Sequence, residues 1–349
     1  CTFLLRINEL ACIDGITVFD VTSPNISAIS AYYLILMLFF SENGRILFMK
    51  RNKKAIAILM VFVIISSVAF GVSVKTGFEK ADITFVDVGQ GDCIHIKTEE
   101  NKNFLIDGGG KPDYSVGKKI LKPYLLKNGV GKIDGAFVTH LHTDHYKGIA
   151  ELCREGMVEK LFLYEGSTIK EKQILKETGL KKEDIIYIHK GVSIKLGKNS
   201  KADILGPGRK AAGEYINAHE DDENENCLII SIVQEGKKII ATGDIDSASH
   251  DKLFEYYGEK LNADILKVAH HGSKYSYSED FTDSAKPEYA VIQVGKNNYG
   301  HPSGEVIKNY LEEGAKVYRN DTDGAVGFVW KKGGNITVVT VKAEKNGSR

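Results

Sequence analysis

The sequence predicts an α/β fold in which two β-sheets pack face to face between helices, preceded by one or two membrane-spanning helices. Three features predict this. Residues 55–74 (AIAILMVFVIISSVAFGVSV) carry no charge, and at ~1.5 Å rise per residue such a run spans a hydrocarbon core of roughly 30 Å. Beyond about residue 76 short apolar segments alternate with amphipathic ones. Three of those apolar segments run directly into histidine or aspartate, at His140, Asp244 and His270.

The first 76 residues read as a membrane segment, with candidate spans at 26–40 and 55–74, and residues 77–349 as one further domain. Between the two spans lie Arg45, Lys50, Arg51, Lys53 and Lys54. The positive-inside rule keeps such a cluster in the cytoplasm. If both runs span, everything after about residue 76 lies outside. The chain begins with Cys1, not Met, which points to a longer protein upstream.

Lys+Arg and Asp+Glu are both 46, for a formal net charge of zero. Nucleic-acid binding therefore cannot be argued from global charge. Cys1, Cys12, Cys93, Cys153 and Cys227 are scattered, odd in number and form no CxxC pair, so they predict no disulfide framework.

In chain order, Ile83–Val88, Cys93–Lys97 and Asn103–Ile106 read as strands between glycine-rich turns, and Val116–Leu126 as a helix. Gly135–Thr139 is an apolar strand leading into Thr-His-Leu-His-Thr-Asp-His. Side chains alternate along a strand, so His140 and His142 point the same way, and a bend then brings in Asp144 and His145. These residue types are the ingredients of a two-metal site for zinc, manganese or iron. Further strands are expected at Lys160–Tyr164, Ile185–His189, Cys227–Val233 and Lys238–Ala241, the last delivering Thr242-Gly243-Asp244. A helix over Ser247–Tyr257 precedes the strand Ala263–Ala269, which ends in His270-His271-Gly272-Ser273. A strand over Tyr289–Val294, a helix over Gly304–Glu313 and strands at Lys316–Arg319, Ala325–Trp330 and Ile336–Val341 complete the chain.

The segment His140-Leu141-His142-Thr143-Asp144-His145 matches the HxHxDH motif of the metallo-β-lactamase superfamily, and Leu105-Ile106-Asp107-Gly108-Gly109-Gly110 resembles its earlier strand–Asp–Gly element. The resemblance implies an αββα sandwich and two divalent ions, zinc or manganese with iron as a further option. By that resemblance His140 and His142 bind one ion, Asp144 and His145 the other, Asp244 bridges them, and His270 adds a ligand with His271 as its rival. Asp107 supports the site from behind. The superfamily's usual histidine between HxHxDH and the bridging aspartate has no clean counterpart. Neither His189 nor His219 sits cleanly at the end of an apolar strand, and Asn224-Glu225-Asn226 occupies the place, with Asn226 as a substitute or supporting group.

The fuller set, Phe85-Val86-Asp87-Val88-Gly89-Gln90-Gly91-Asp92, HxHxDH, Thr242-Gly243-Asp244, Ala269-His270-His271-Gly272-Ser273 and Tyr299-Gly300-His301-Pro302-Ser303, resembles the C-terminal domain of the ComEC family of bacterial DNA-uptake membrane proteins. It covers roughly residues 80–342. The resemblance implies a membrane-attached phosphodiester hydrolase facing outside the cytoplasm. Its substrate would be single-stranded DNA, the non-transported strand, and its partners the remaining competence machinery. Asp144 is expected to hold or deprotonate water, Lys274 to meet a phosphate, and His301 to protonate the leaving oxygen; an exposed lysine and a helix-start residue are the plainer readings of the last two. Asp87 and Asp92 read as turn-forming and site-supporting. The alternatives are a cell-surface phosphodiesterase or phosphorylcholine esterase of the same branch, and a non-catalytic channel-gating scaffold.

Overall fold

A computed structural model of the chain describes residues 26–42, 61, 65, 81–209, 223, 224 and 226–341. It divides into two units, Cys1–Glu79 with Tyr124–Gly131, and Lys80–Pro123 with Lys132–Arg349. In the first, helix α1 covers Ile26–Phe40. Its 15 residues extend about 22 Å at 1.5 Å each, short of a hydrocarbon core of roughly 30 Å. No helix among the described residues is long and apolar enough to cross a membrane. The expected span at 26–40 coincides with this 15-residue apolar helix, and the one at 55–74 lies outside the described residues apart from Val61 and Ile65.

In the second unit the strands are β1 (Ala81–Phe85), β2 (Ile94–Lys97), β3 (Asn103–Ile106), β4 (Gly135–Phe137), β5 (Leu161–Tyr164), β6 (Ile185–Ile188), β7 (Ser193–Lys195), β8 (Ser200–Gly206), β9 (Ile229–Gln234), β10 (Lys237–Ala241), β11 (Ile265–Lys267), β12 (Tyr289–Ile292), β13 (Lys316–Arg319), β14 (Val326–Trp330) and β15 (Thr337–Thr340). One sheet has the order β15-β14-β1-β2-β3-β4-β5-β6 and the other β13-β12-β11-β10-β9-β8-β7. Pairing is parallel from β3 to β6 and from β10 to β13. This is the expected pair of sheets, with strands from the start and the end of this unit contributing to the first.

Side-chain alternation builds the core. Ile230 and Ile232 of β9, Ile239 and Ala241 of β10, Ile265 of β11, and Tyr289 and Val291 of β12 meet Ile83, Phe85, Ile94, Ile96, Ile106 and Phe137 of the other sheet. The intervening Ile229, Ile240, Leu266, Ala290 and Ile292 face the opposite way. They pack with Leu253 of α4 (Ser247–Tyr257), Phe281 of α5 (Glu279–Ala285) and Val306 and Tyr310 of α6 (Gly304–Glu312). Strands covered on both faces read as continuous apolar runs, which is how they appear in the sequence.

Two helices differ from the expectation. α2 (Thr143–Arg154) begins inside the histidine cluster, and α3 (Glu171–Thr178) follows β5. α2 lies directly on the turn after β3: the Gly108 amide donates to the His145 carbonyl at 2.8 Å, and the Gly148 amide to the Gly109 carbonyl at 2.9 Å. A Cβ at Gly148 would sit 1.9 Å from the Gly108 oxygen. Gly148→Ala should therefore destabilise the protein by about 1–3 kcal/mol in urea unfolding, because backbone on both sides blocks relief. Gly304→Ala at the start of α6 meets nothing within 4 Å and should stabilise by about 0.4–1 kcal/mol.

Two buried histidines predict the pH dependence of stability. Burial pulls the His95 imidazole down to about 4, against its hydrogen bond with Asn103. It pulls His250, packed on Phe281, down to about 4 as well. Both are neutral when folded and protonate near pH 6.5 when unfolded. Their stabilisation is complete above that pH and is lost as pH falls toward 4, at roughly 1.4 kcal/mol per unit for each imidazole. His250→Gln should remove one such share from the slope measured by denaturant titration between pH 6.5 and 4.

Candidate metal centre

The site is assembled from the carboxyl ends of parallel strands, where an open α/β sheet leaves a crevice. β3 delivers Asp107. β4 leads through Val138 and Thr139 to His140 and His142, and the first turn of α2 presents Asp144 and His145. β10 delivers Asp244 and β11 leads to His270 and His271. Asp107, His270 and His271 adopt φ of 58°, 47° and 53°. Residues other than glycine pay of order 1–2 kcal/mol each for the left-handed region, and such strain gathers where side chains must be aimed.

Four ligand-type atoms converge. His145 Nε2 lies 3.1 Å and His271 Nε2 3.4 Å from Asp244 Oδ2, and His271 Nε2 lies 3.3 Å from Asp144 Oδ2. Donors sharing one tetrahedral ion at the usual bond lengths would be roughly 3.3 Å apart. Behind the rings, His145 Nδ1 donates to Asp107 Oδ2 at 2.8 Å and His271 Nδ1 to the Gln293 carbonyl at 2.8 Å. Those bonds leave each Nε2 facing the centre, and both Nε2 atoms are buried without a hydrogen-bond partner. Orphaned buried nitrogens backed by carboxylate or carbonyl acceptors are the arrangement a metal ligand requires, so these residues fit a divalent ion.

A second group adjoins it. His140, His145 and Asp244 bring ligand atoms within 4.8 Å of one another. His140 Nε2 and His142 Nδ1 are 2.9 Å apart. Thr139 Oγ1 donates to Asp107 Oδ2 at 2.7 Å, so it accepts from His140 Nδ1 at 3.1 Å. Asp107 thus orients His145 directly and His140 through Thr139.

The structure brings His271, not the sequence-preferred His270, into this group. β11 stops at Lys267, and two successive left-handed residues replace the alternation a strand would have imposed. His270 is half-buried, with Nε2 3.9 Å from Asp244 Oδ2. It lines a cavity of about 820 Å³ with Asp144, Asp244, His142 and His301. Lys274 is not among the residues lining that cavity; it is exposed, with Nζ 4.9 Å from the ring of its neighbour Tyr275. Lys111 and Lys296 line the cavity instead. So does Asn224, whose Oδ1 is buried without a partner, whereas Asn226 does not. The His189 ring donates to the carbonyl of Lys190 and stands apart, and His219 lies outside the described residues.

Asp92 and Lys267 are both buried at the site. Asp92 Oδ2 meets Lys267, and its Oδ1 lies 3.4 Å from His271 Nδ1; Lys267 is the one charged residue of β11. Burial opposes charge on every group here: it prevails at Asp107, whose carboxyl is raised, and at His140, whose imidazole is lowered, while neighbouring charges prevail at Asp244, Asp144 and His271. Beside His145 the Asp244 carboxyl is held well below the usual range. The facing His271 imidazole, 3.3 Å away, does the same for Asp144. His271, opposed by burial but facing Asp244, Asp144 and Asp92, is pushed up to about 10. A divalent cation would satisfy the same carboxylates and displace those protons.

Comparison with known proteins agrees with this geometry. The chain is 26% identical over 268 residues to ComE operon protein 3 of Bacillus subtilis (strain 168), covering 72% of this chain and 33% of that protein. It is 27% identical over 260 residues to competence protein ComA of Neisseria gonorrhoeae, covering 73% and 33%. The chain thus spans about a third of the length of these relatives. Among solved structures, the metallo-β-lactamase fold protein YhfI from Bacillus subtilis aligns over 72% of this chain and 98% of its own at 14% identity and a TM-score of 0.46. The superfamily profile matches residues 86–296, and the chain belongs to the metallo-β-lactamase superfamily.

Proposed function

We propose that this chain is a two-metal phosphodiester hydrolase acting on DNA, attached to the membrane as part of a ComEC-type uptake protein. The observation that carries the hydrolase reading is the pair of buried, unpartnered Nε2 atoms of His145 and His271 converging with Asp144 and Asp244. A scaffold without chemistry would gain nothing from leaving those nitrogens unsatisfied. The competence relatives support DNA as substrate and the membrane as location.

In this reading His140 and His142 hold one divalent ion, zinc or manganese, and Asp144, His145 and His271 the other, with Asp244 shared. Bound there, such ions would supply a water acidic enough to attack at neutral pH and would neutralise charge on the phosphoryl oxygens. Asp144, which also faces the cavity, orients that water. Lys111 and Lys296, lining the same cavity, meet the flanking phosphates in the role first assigned to Lys274. His301, half-exposed there, stands 5.6 Å ring to ring from His270. Burial and the neighbouring His270 lower its pKa, and it serves the leaving oxygen. Tyr299, 76% exposed at the cavity, offers a face to a base.

The full chain in detergent, loaded in turn with zinc and manganese, should cleave labelled single-stranded DNA faster than a choline phosphodiester. The opposite preference would favour the phosphorylcholine-esterase reading, and inertness with every metal the scaffold. Asp244→Ala should lower kcat at least about 10³-fold with the fold retained by circular dichroism. Metal titration should count two ions in the wild type and in His270→Ala but one fewer in His271→Ala.

A further inference from the structure

Among the described residues Lys267 is the only buried lysine or arginine, 1% exposed. An ammonium withdrawn from water must have all its hydrogens met. Its three acceptors are Asp92 Oδ2, the Gly243 carbonyl at 2.8 Å and Asp244 Oδ1 at 3.4 Å. The two oxygens of Asp244 are thereby divided. Oδ1 faces the lysine, while Oδ2 faces His145 Nε2 at 3.1 Å, His271 Nε2 at 3.4 Å and His270 Nε2 at 3.9 Å.

We infer that Lys267 is a positioning residue that holds Asp244 Oδ1 away from the metal site, so that Oδ2 is the oxygen this carboxylate would present to it. This rests on the two-metal reading above. The lysine also grips the carbonyl of Gly243, immediately before Asp244, so one ammonium holds both the backbone from which the carboxylate projects and its Oδ1, and turning Oδ1 toward the site would break the second contact. Asp92 completes the frame: its Oδ2 meets Lys267 while Oδ1 lies 3.4 Å from His271 Nδ1. One buried cation thus couples the orientation of the shared carboxylate to that of a ligand histidine. An ammonium suits this task because it anchors the carboxylate without competing as a ligand.

The test is titration of metal-free full chain in detergent with Mn(II), followed by electron paramagnetic resonance. The wild type should bind two ions per chain and show an exchange-coupled pair. Lys267→Met should keep the first ion, bind the second at least about tenfold more weakly and lose the coupled signal. A Lys267→Met protein with wild-type coupling and affinity would overturn the inference while leaving the two-metal reading intact; a wild type that binds no manganese or zinc would remove both. Should Lys267→Met not fold, the wild type labelled with ¹⁵N at the lysine Nζ decides. Its one sheltered ammonium resonance should shift on loading with Zn(II) and in Asp244→Asn, and a signal insensitive to both overturns the inference.

Discussion

Burying three carboxylates, Asp92, Asp107 and Asp244, at the end of an apolar sandwich, with the half-buried Asp144 beside them, is the constraint on which the rest of the structure depends. Each would cost several kcal/mol unpaired, and every neighbouring feature answers that cost. Lys267 spans Asp92 and Asp244; Thr139 and His145 meet Asp107; His145 and His271 meet Asp244. The sheets behind contribute rigidity rather than charge. Because parallel strands end side by side, four loops deliver their polar residues to one place without bending the core.

The same geometry explains why the glycines lie where they do. α2 must bring His145 against Asp107, and it reaches that distance only because Gly148 lets its backbone rest on Gly108. The helix is an anvil for the metal-type residues in its first turn. Its later turns bury Ile149 and Leu152, which ties the position of His145 to the packing of the whole layer. Chemistry and stability are therefore coupled through one short contact.

Much of the fold was legible because parallel strands covered on both faces read as unbroken apolar runs. Three of those runs ended in histidine or aspartate. What escaped had a physical reason in each case. β8 alternates buried Ser200, Ala202 and Ile204 with outward Lys201 and Asp203, so small and polar residues hid its period. α2 opens with Thr-Asp-His, and these ligand-type residues masked its helical spacing. Lys267 reads as one more strand residue, since nothing local says that a lysine points at two aspartates.

The sequence by itself determined the sandwich, the strand ends that carry the site and the identities of its acids and imidazoles, because periodicity and composition are local properties. Tertiary structure alone decided which histidine of the pair turns inward, because two left-handed residues after β11 break the alternation on which a strand-based reading relies. It likewise decided that Lys111 and Lys296, not Lys274, border the cavity, because those three residues come from separate loops. The partnering of Lys267 with carboxylates 175 and 23 positions away is also tertiary. No spacing rule connects such residues: the parallel pairing of β10 with β11 sets Lys267 beside Asp244, and the packing of one sheet against the other brings in Asp92.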